Sequence, residues 1–159
     1  MIVAATHSPA RTAPPRRRAA APPRKMPPKA LDAILRSRVI ACLRAQDGET
    51  AMQAAHAAVR GGVSVLEVVM STPAALEVIA DLRRRYPSLT FGVGTVLNPE
   101  DARKAIRAGA QFLMSPGTVM EILRTLEESE VLYIPGVLTP TEVCCAVLIT
   151  MNLFLFWHV

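Results

Sequence analysis

Aromatic residues make up only 4% of this 159-residue chain, too few to build the stacking platforms on which proteins hold single-stranded nucleic acid. Cysteine is scarce as well. Cys42, Cys144 and Cys145 follow no framework spacing and form no CxxC, which excludes a disulfide scaffold and makes a reduced compartment the simpler expectation. No set of His, Cys, Asp or Glu has metal-ligand spacing, so neither a metal nor another cofactor is expected. A Walker A pattern is missing, and "FGVGTV" offers only GxG, with Thr95 and Val96 breaking the dinucleotide fingerprint. Lysine occurs at just three places, Lys25, Lys29 and Lys104.

What is present fits one globular domain with a real core: 51% of residues are hydrophobic and 19% charged. The formal charge of +5 is unevenly spread. Seven of the 18 basic residues and none of the 13 acidic ones lie in residues 1–30, so the remainder is mildly acidic and no nucleic-acid partner is expected. The Arg-, Ala- and Pro-rich opening lacks a secretory apolar core and has the composition of an organellar transit peptide, although its prolines prevent a continuous amphipathic helix. Residues 1–35 are therefore expected to be a disordered leader. It points to the plastid, with the cytoplasm as the alternative.

From residue 38 onward, short Val-, Ile- and Leu-rich runs alternate with helical patterns: "RVIACLRA", then 49–60; "SVLEVVM", then 74–85; "TFGVGTV", then 99–108; "QFLMSPG", then 118–128; "VLYIPGV", then 140 onward. Such alternation predicts βα units around a parallel sheet. Thr72-Pro73, Asn98-Pro99 and Thr139-Pro140 each set a capping residue before a proline suited to the first helical turn, and Glu142 completes a capping box with Thr139. Gly61 and Gly109 stand where helices should stop. A doubly wound sheet and a barrel are both open on this pattern. In either one the active site lies at the C-terminal ends of the strands, here Glu67 to Ser71, Gly94 to Val96, Ser115 to Gly117, and Pro135 to Gly136.

Glu67 stands out because it interrupts "VSVLEVVMSTP", and burying an unpaired carboxylate is costly. Strand alternation puts it on one face with Val63, Val65 and Val69. It either faces solvent at a strand end or serves as a partly desolvated acid/base. Gly92 and Gly94 allow close approach of a ligand or a packed neighbour. His56 falls mid-helix with no partner pattern and reads as an ordinary helix residue.

The segments "GGVSVLEVVMSTP", "GVGTVLNPEDARKAIRAGAQFLMSPG" and "YIPGVLTPTEV" resemble, in order and spacing, the family of 2-keto-3-deoxy-6-phosphogluconate and 4-hydroxy-2-oxoglutarate aldolases, particularly its plant-like branch. The likeness covers roughly residues 38–146. It implies a (β/α)8 barrel, usually a homotrimer, that splits a 2-keto acid into pyruvate and an aldehyde through a lysine Schiff base. It also implies that Glu67 is the general acid/base and that Thr95 binds the pyruvate carboxylate. The Ser115-Pro116-Gly117 turn resembles the loop bordering the pocket, though a plain strand-to-helix turn fits as well. Ser71 stands where many members carry a substrate-binding Arg, which the plant-like branch often lacks.

The family's Schiff-base lysine lies on a sixth strand, and none of the three lysines here is expected to reach a strand end. The expectation is thus a partial TIM (β/α)8-type barrel of about five βα units in residues 36–146, C-terminally truncated, followed by an apolar tail, 147–159, foreign to the family. Alone it should be inactive, and its unclosed edges should favour aggregation. Three functions stay open: the family's aldolase, a non-catalytic fragment that binds pyruvate-type keto acids or joins family subunits, and a tail-anchored membrane protein. The last is disfavoured. Seventeen residues of "VCCAVLITMNLFLFWHV" reach about 25 Å as a helix against a hydrocarbon core of about 30 Å, and the run includes Asn152 and His158.

Overall fold

The computed structural model describes residues 29–126 and 129–149. Its elements run α1 (Lys29–Ser37), β1 (Ala41–Leu43), α2 (Gly48–Arg60), β2 (Val65–Val69), α3 (Ala75–Arg85), β3 (Thr90–Gly94), α4 (Pro99–Arg107), β4 (Phe112–Ser115), α5 (Met120–Leu126), β5 (Leu132–Pro135) and α6 (Pro140–Ile149). All strand pairs are parallel, and the sheet order is β1-β2-β3-β4-β5. A doubly wound sheet reverses its order at a switch point. This one does not, which leaves the barrel winding of the two architectures. β1 and β5 each have a strand partner on one side only among the described residues.

The two faces of the sheet bury different things. Leu43, Leu66, Val68, Phe91, Val93, Leu113 and Tyr133 point outward and pack with Ala51, Ala55, Val78, Ile79, Ala102, Ala105 and Ile122 of the helical layer. The inner face carries Val65, Phe112, Met114, Leu132 and Ile134, which pack against Ala30 and Ile34 of α1. Helix α1 therefore plugs the interior at one end of the sheet.

That helix corrects the expected leader boundary at residue 35. Ala30 and Ile34 lie one turn apart on one face, Asp32 is in the first turn and Arg36 in the last, an arrangement that suits both burial and the helix dipole. The disorder expected for residues 1–28 lies outside the described residues.

Local signals elsewhere explain most boundaries. The Asn98 side chain accepts from Asp101 N at 2.9 Å with Pro99 at the first helical position. Thr139 Oγ1 accepts from Glu142 N at 3.3 Å while Glu142 Oε2 accepts from Thr139 N at 2.9 Å, completing the expected box. Gly109 follows α4 at φ +97, in the region that favours glycine. Thr72-Pro73 does not cap α3. The chain turns once more, through Ala74 at φ 57, before the helix begins at Ala75. Gly48 leaves room for this turn, since a Cβ added there would meet Ala74 Cβ at 2.8 Å.

Candidate functional site

At the C-terminal ends of the strands lies a cavity of about 330 Å³, lined by Cys42, Arg44, Glu67, Val69, Thr95, Met114, Ser115 and Pro116. A second cavity, about 220 Å³, opens at the α1–β1 corner among Ile34, Leu35, Arg38, Val39 and Ile40. It is nearly all apolar. Convergent polar groups make the first the candidate site.

Glu67 is in the middle of β2 with only 6% of its surface exposed. Pleating turns it to the inner face with Val65 and Val69, and register sets it beside Cys42 on one side and Gly92 on the other. Its carboxyl needs the two glycines of "FGVG". A Cβ built at Gly94 would fall on the Glu67 carboxylate, and one at Gly92 would lie 2.5 Å from the Phe112 ring. Both glycines thus make room on the inner face, Gly94 for the candidate acid/base and Gly92 for the apolar floor beneath it. Burial raises the Glu67 pKa above the ordinary carboxylate range, while the neighbouring Cys42 thiol and the Arg44 guanidinium act in the opposite direction.

Thr95 follows β3 at φ 57. That left-handed conformation is a real outlier for a β-branched residue and costs on the order of 1–3 kcal/mol. The backbone on both sides holds it there. Gly94 O accepts from Met70 N at 2.8 Å, and Val96 N donates to Met114 O at 3.0 Å. Strain fixed in this way at a cavity wall is a common mark of a binding position.

Ser115 and Pro116 form the far wall. The Ser115 hydroxyl is already engaged, donating to Gly117 O at 2.6 Å and lying 2.6 Å from Tyr133 Oη, which accepts from Val119 N at 3.2 Å. This network anchors the turn and leaves Ser115 little capacity for a ligand. Ser71 is exposed and is absent from the cavity lining.

Sequence reasoning missed Arg44. Two residues beyond Cys42, it extends the inner-facing row of β1 to the cavity rim and places a guanidinium near Glu67. Its only sequence signal is an Arg directly after a strand. Local spacing likewise gives His56 no partner, yet the fold supplies two. On the outer layer its Nε2 lies 3.3 Å from Asp81 Oδ2 and its Nδ1 lies 3.1 Å from Tyr86 Oη.

Neither described lysine reaches the cavity. Lys29 starts α1, and Lys104 Nζ lies 2.8 Å from Glu100 Oε1 and 3.6 Å from Asp101 Oδ1 on α4. Among the described residues no group of His, Cys, Asp and Glu could hold a metal ion, and no helix is long and apolar enough to cross a membrane.

A family model described as KDPG and KHG aldolase matches residues 31–158. The match passes Ala146, so nearly all of the tail read above as foreign falls inside it. The KHG/KDPG aldolase of Escherichia coli is 40% identical over 94 residues, 59% of this chain and 44% of its own length. The 2-dehydro-3-deoxy-phosphogluconate aldolase of Treponema pallidum is 37% identical over 112 residues, 70% of this chain and 53% of its own. This chain therefore spans about half the length of these relatives. The solved KDPG aldolase of Legionella pneumophila, with pyruvate captured at low pH as a covalent carbinolamine intermediate, matches with a TM-score of 0.68 at 33% identity, covering 79% of this chain and 59% of that one.

Proposed function

This chain belongs to the KDPG and KHG aldolase family, and on that premise we propose that its cavity is a pocket for pyruvate-type 2-keto acids in which Glu67 moves protons. The observation that carries this reading is a buried carboxyl, raised above its ordinary range by burial, on the wall of a cavity that also holds a cation and a strained threonine. The ligand's carboxylate lies between Arg44 and Thr95. Arg44 supplies the guanidinium that Ser71 cannot, a role that suits the plant-like branch. With a bound keto acid excluding water, Glu67 protonates the carbonyl oxygen as a neutral acid and removes an adjacent carbon-bound proton as a carboxylate.

The family reaction also needs an amine that condenses with the keto group to form an iminium electron sink. Lys29 and Lys104 are held away from the cavity, Lys25 belongs to the basic opening segment, and residues 150–158 contain no lysine. These 159 residues alone therefore bind keto acids without cleaving them. In this reading these residues form a non-catalytic family module that joins family subunits, whose usual state is a homotrimer. The opening basic segment directs it to the plastid, as its acid-free, Arg-rich composition suggests.

Borohydride reduction in the presence of pyruvate, followed by intact mass, tests the catalytic reading. No adduct and no cleavage of keto-deoxy sugar acids are expected. A chimera carrying a relative's closing βα units should gain both, with turnover falling on the order of 100-fold or more in its Glu67→Gln form. A pyruvate adduct on Lys104 of the unmodified chain would overturn the assignment. For localisation, residues 1–35 fused to a fluorescent reporter should enter plastids, and a diffuse cytosolic signal would remove that claim.

A further inference from the structure

Cys42 is a nucleophilic side chain on the cavity wall with no place in the proposed proton chemistry. It is exposed, lies beside Glu67 in the β1–β2 register, and lines the same cavity as Arg44 and Thr95. A cysteine alone would signify little. Here the neighbouring Glu67 is a buried residue, 6% exposed, whose side chain lies on the cavity wall with the Cys42 thiol and the Arg44 guanidinium as the groups that act on its charge. Burial and the Glu67 charge both raise the Cys42 pKa, so the thiol rests protonated and needs a base to become a nucleophile. The same burial makes Glu67 a stronger base than an ordinary carboxylate.

We propose that Cys42 is a covalent capture site for electrophilic 2-oxo acids, its sulfur attacking a molecule held by Arg44 and Thr95 while Glu67 takes the thiol proton. The site rests on the reading of the cavity as a keto-acid pocket and adds a nucleophile where no described lysine reaches. With a plain 2-oxo acid the sulfur forms a bond to the carbonyl carbon. The π pair moves onto oxygen, and Glu67 returns the proton there, giving a reversible hemithioketal. With 3-bromopyruvate the sulfur bonds to the halogen-bearing carbon, bromide leaves with the bonding pair, and the proton stays on Glu67.

The test treats the full 159-residue chain with 3-bromopyruvate and maps the adducts by peptide mass spectrometry, with iodoacetamide as the uncharged control. Cys42 should react with saturation kinetics, on the order of tenfold faster than Cys144 and Cys145, and pyruvate should protect it. Iodoacetamide should show no saturation. Glu67→Gln should slow the saturated rate on the order of tenfold, whereas Arg44→Gln should mainly raise the half-saturating concentration. The comparison among cysteines in the unmutated chain stands even if a variant fails to fold. Ligand-observed NMR with pyruvate separates the two claims. Pyruvate binding without preferential Cys42 labelling overturns the capture site and leaves the pocket standing, whereas neither binding nor protection removes the pocket and the capture site together.

Discussion

Two carboxylates, one on each face of the sheet, are both mostly buried and titrate in opposite directions. Asp81, on α3 in the outer layer, has a side chain only 10% exposed and sits among Arg84, Arg85 and His56. Burial pushes it upward, yet hydrogen bonds and charge from Arg85 and Arg84 outweigh this and hold it below the ordinary carboxylate range. Glu67, on the inner face, lacks partners of that strength, and burial wins. The difference is one of company more than depth. A buried carboxylate surrounded by cations is committed to structure, whereas one left beside a thiol and a single guanidinium that do not outweigh burial stays available for proton transfer.

The largest effect on this contrast should come from Gly94→Ala. The new methyl would fall on the Glu67 carboxyl, so the side chain must leave the cavity wall or the strands must part, at a cost of about 1–3 kcal/mol. Urea unfolding should show that loss, and ligand-observed NMR should show pyruvate binding abolished. Adding Glu67→Ala to the same chain should restore most of the stability without restoring binding, a coupling expected of residues in contact. Additive losses in the double variant would mean that Gly94 and Glu67 do not compete for the same space.

Removing the company of the other carboxylate should do less. Asp81→Asn keeps the shape and discards the charge, leaving Arg84, Arg85 and His56 without their shared acceptor, and is expected to cost about 1 kcal/mol. The sign with pH follows from the lowered pKa. Asp81 stabilises the fold above its unfolded value, and that contribution fades as pH falls through the folded one, below about pH 4. Wild type and variant should therefore differ at neutral pH and converge in acid. A constant gap across that range would assign the effect to packing.

The outer half of this comparison was hardly legible in sequence, because His56 and Asp81 belong to different helices and no local spacing links them. The βα alternation was far more readable. The run 49–60 became α2 at Gly48–Arg60, and "SVLEVVM" became β2 at Val65–Val69, since strands buried on both faces and helices with caps leave strong local patterns. Helix α1 was hidden by the proline- and arginine-rich context before it, and the start of α3 by an extra turn through Ala74, which packs against Gly48 from a different part of the chain. At the site, alternation alone identified the face of Glu67. The space it occupies depends on Gly94 of the next strand, and the relevance of Arg44 depends on β1–β2 register, neither of which is written into a local pattern.

The smallest expected effect is also the sharpest statement of the contrast, because it should have the opposite sign. A group whose folded pKa is raised stabilises the fold fully below its unfolded value, and the contribution is lost as pH rises through the folded one. Ionised Glu67 is therefore a burden on the fold at neutral pH, and Glu67→Gln should stabilise the chain there by a few tenths of a kcal/mol to about 1 kcal/mol. The gain should vanish between neutrality and about pH 4, where the native carboxyl becomes neutral and resembles the amide. Urea midpoints of wild type and variant at several pH values would trace the difference. If Glu67→Gln destabilised the fold at neutral pH and the gap closed in acid, Glu67 would be a partnered structural carboxylate like Asp81, and the distinction between the two faces would fail.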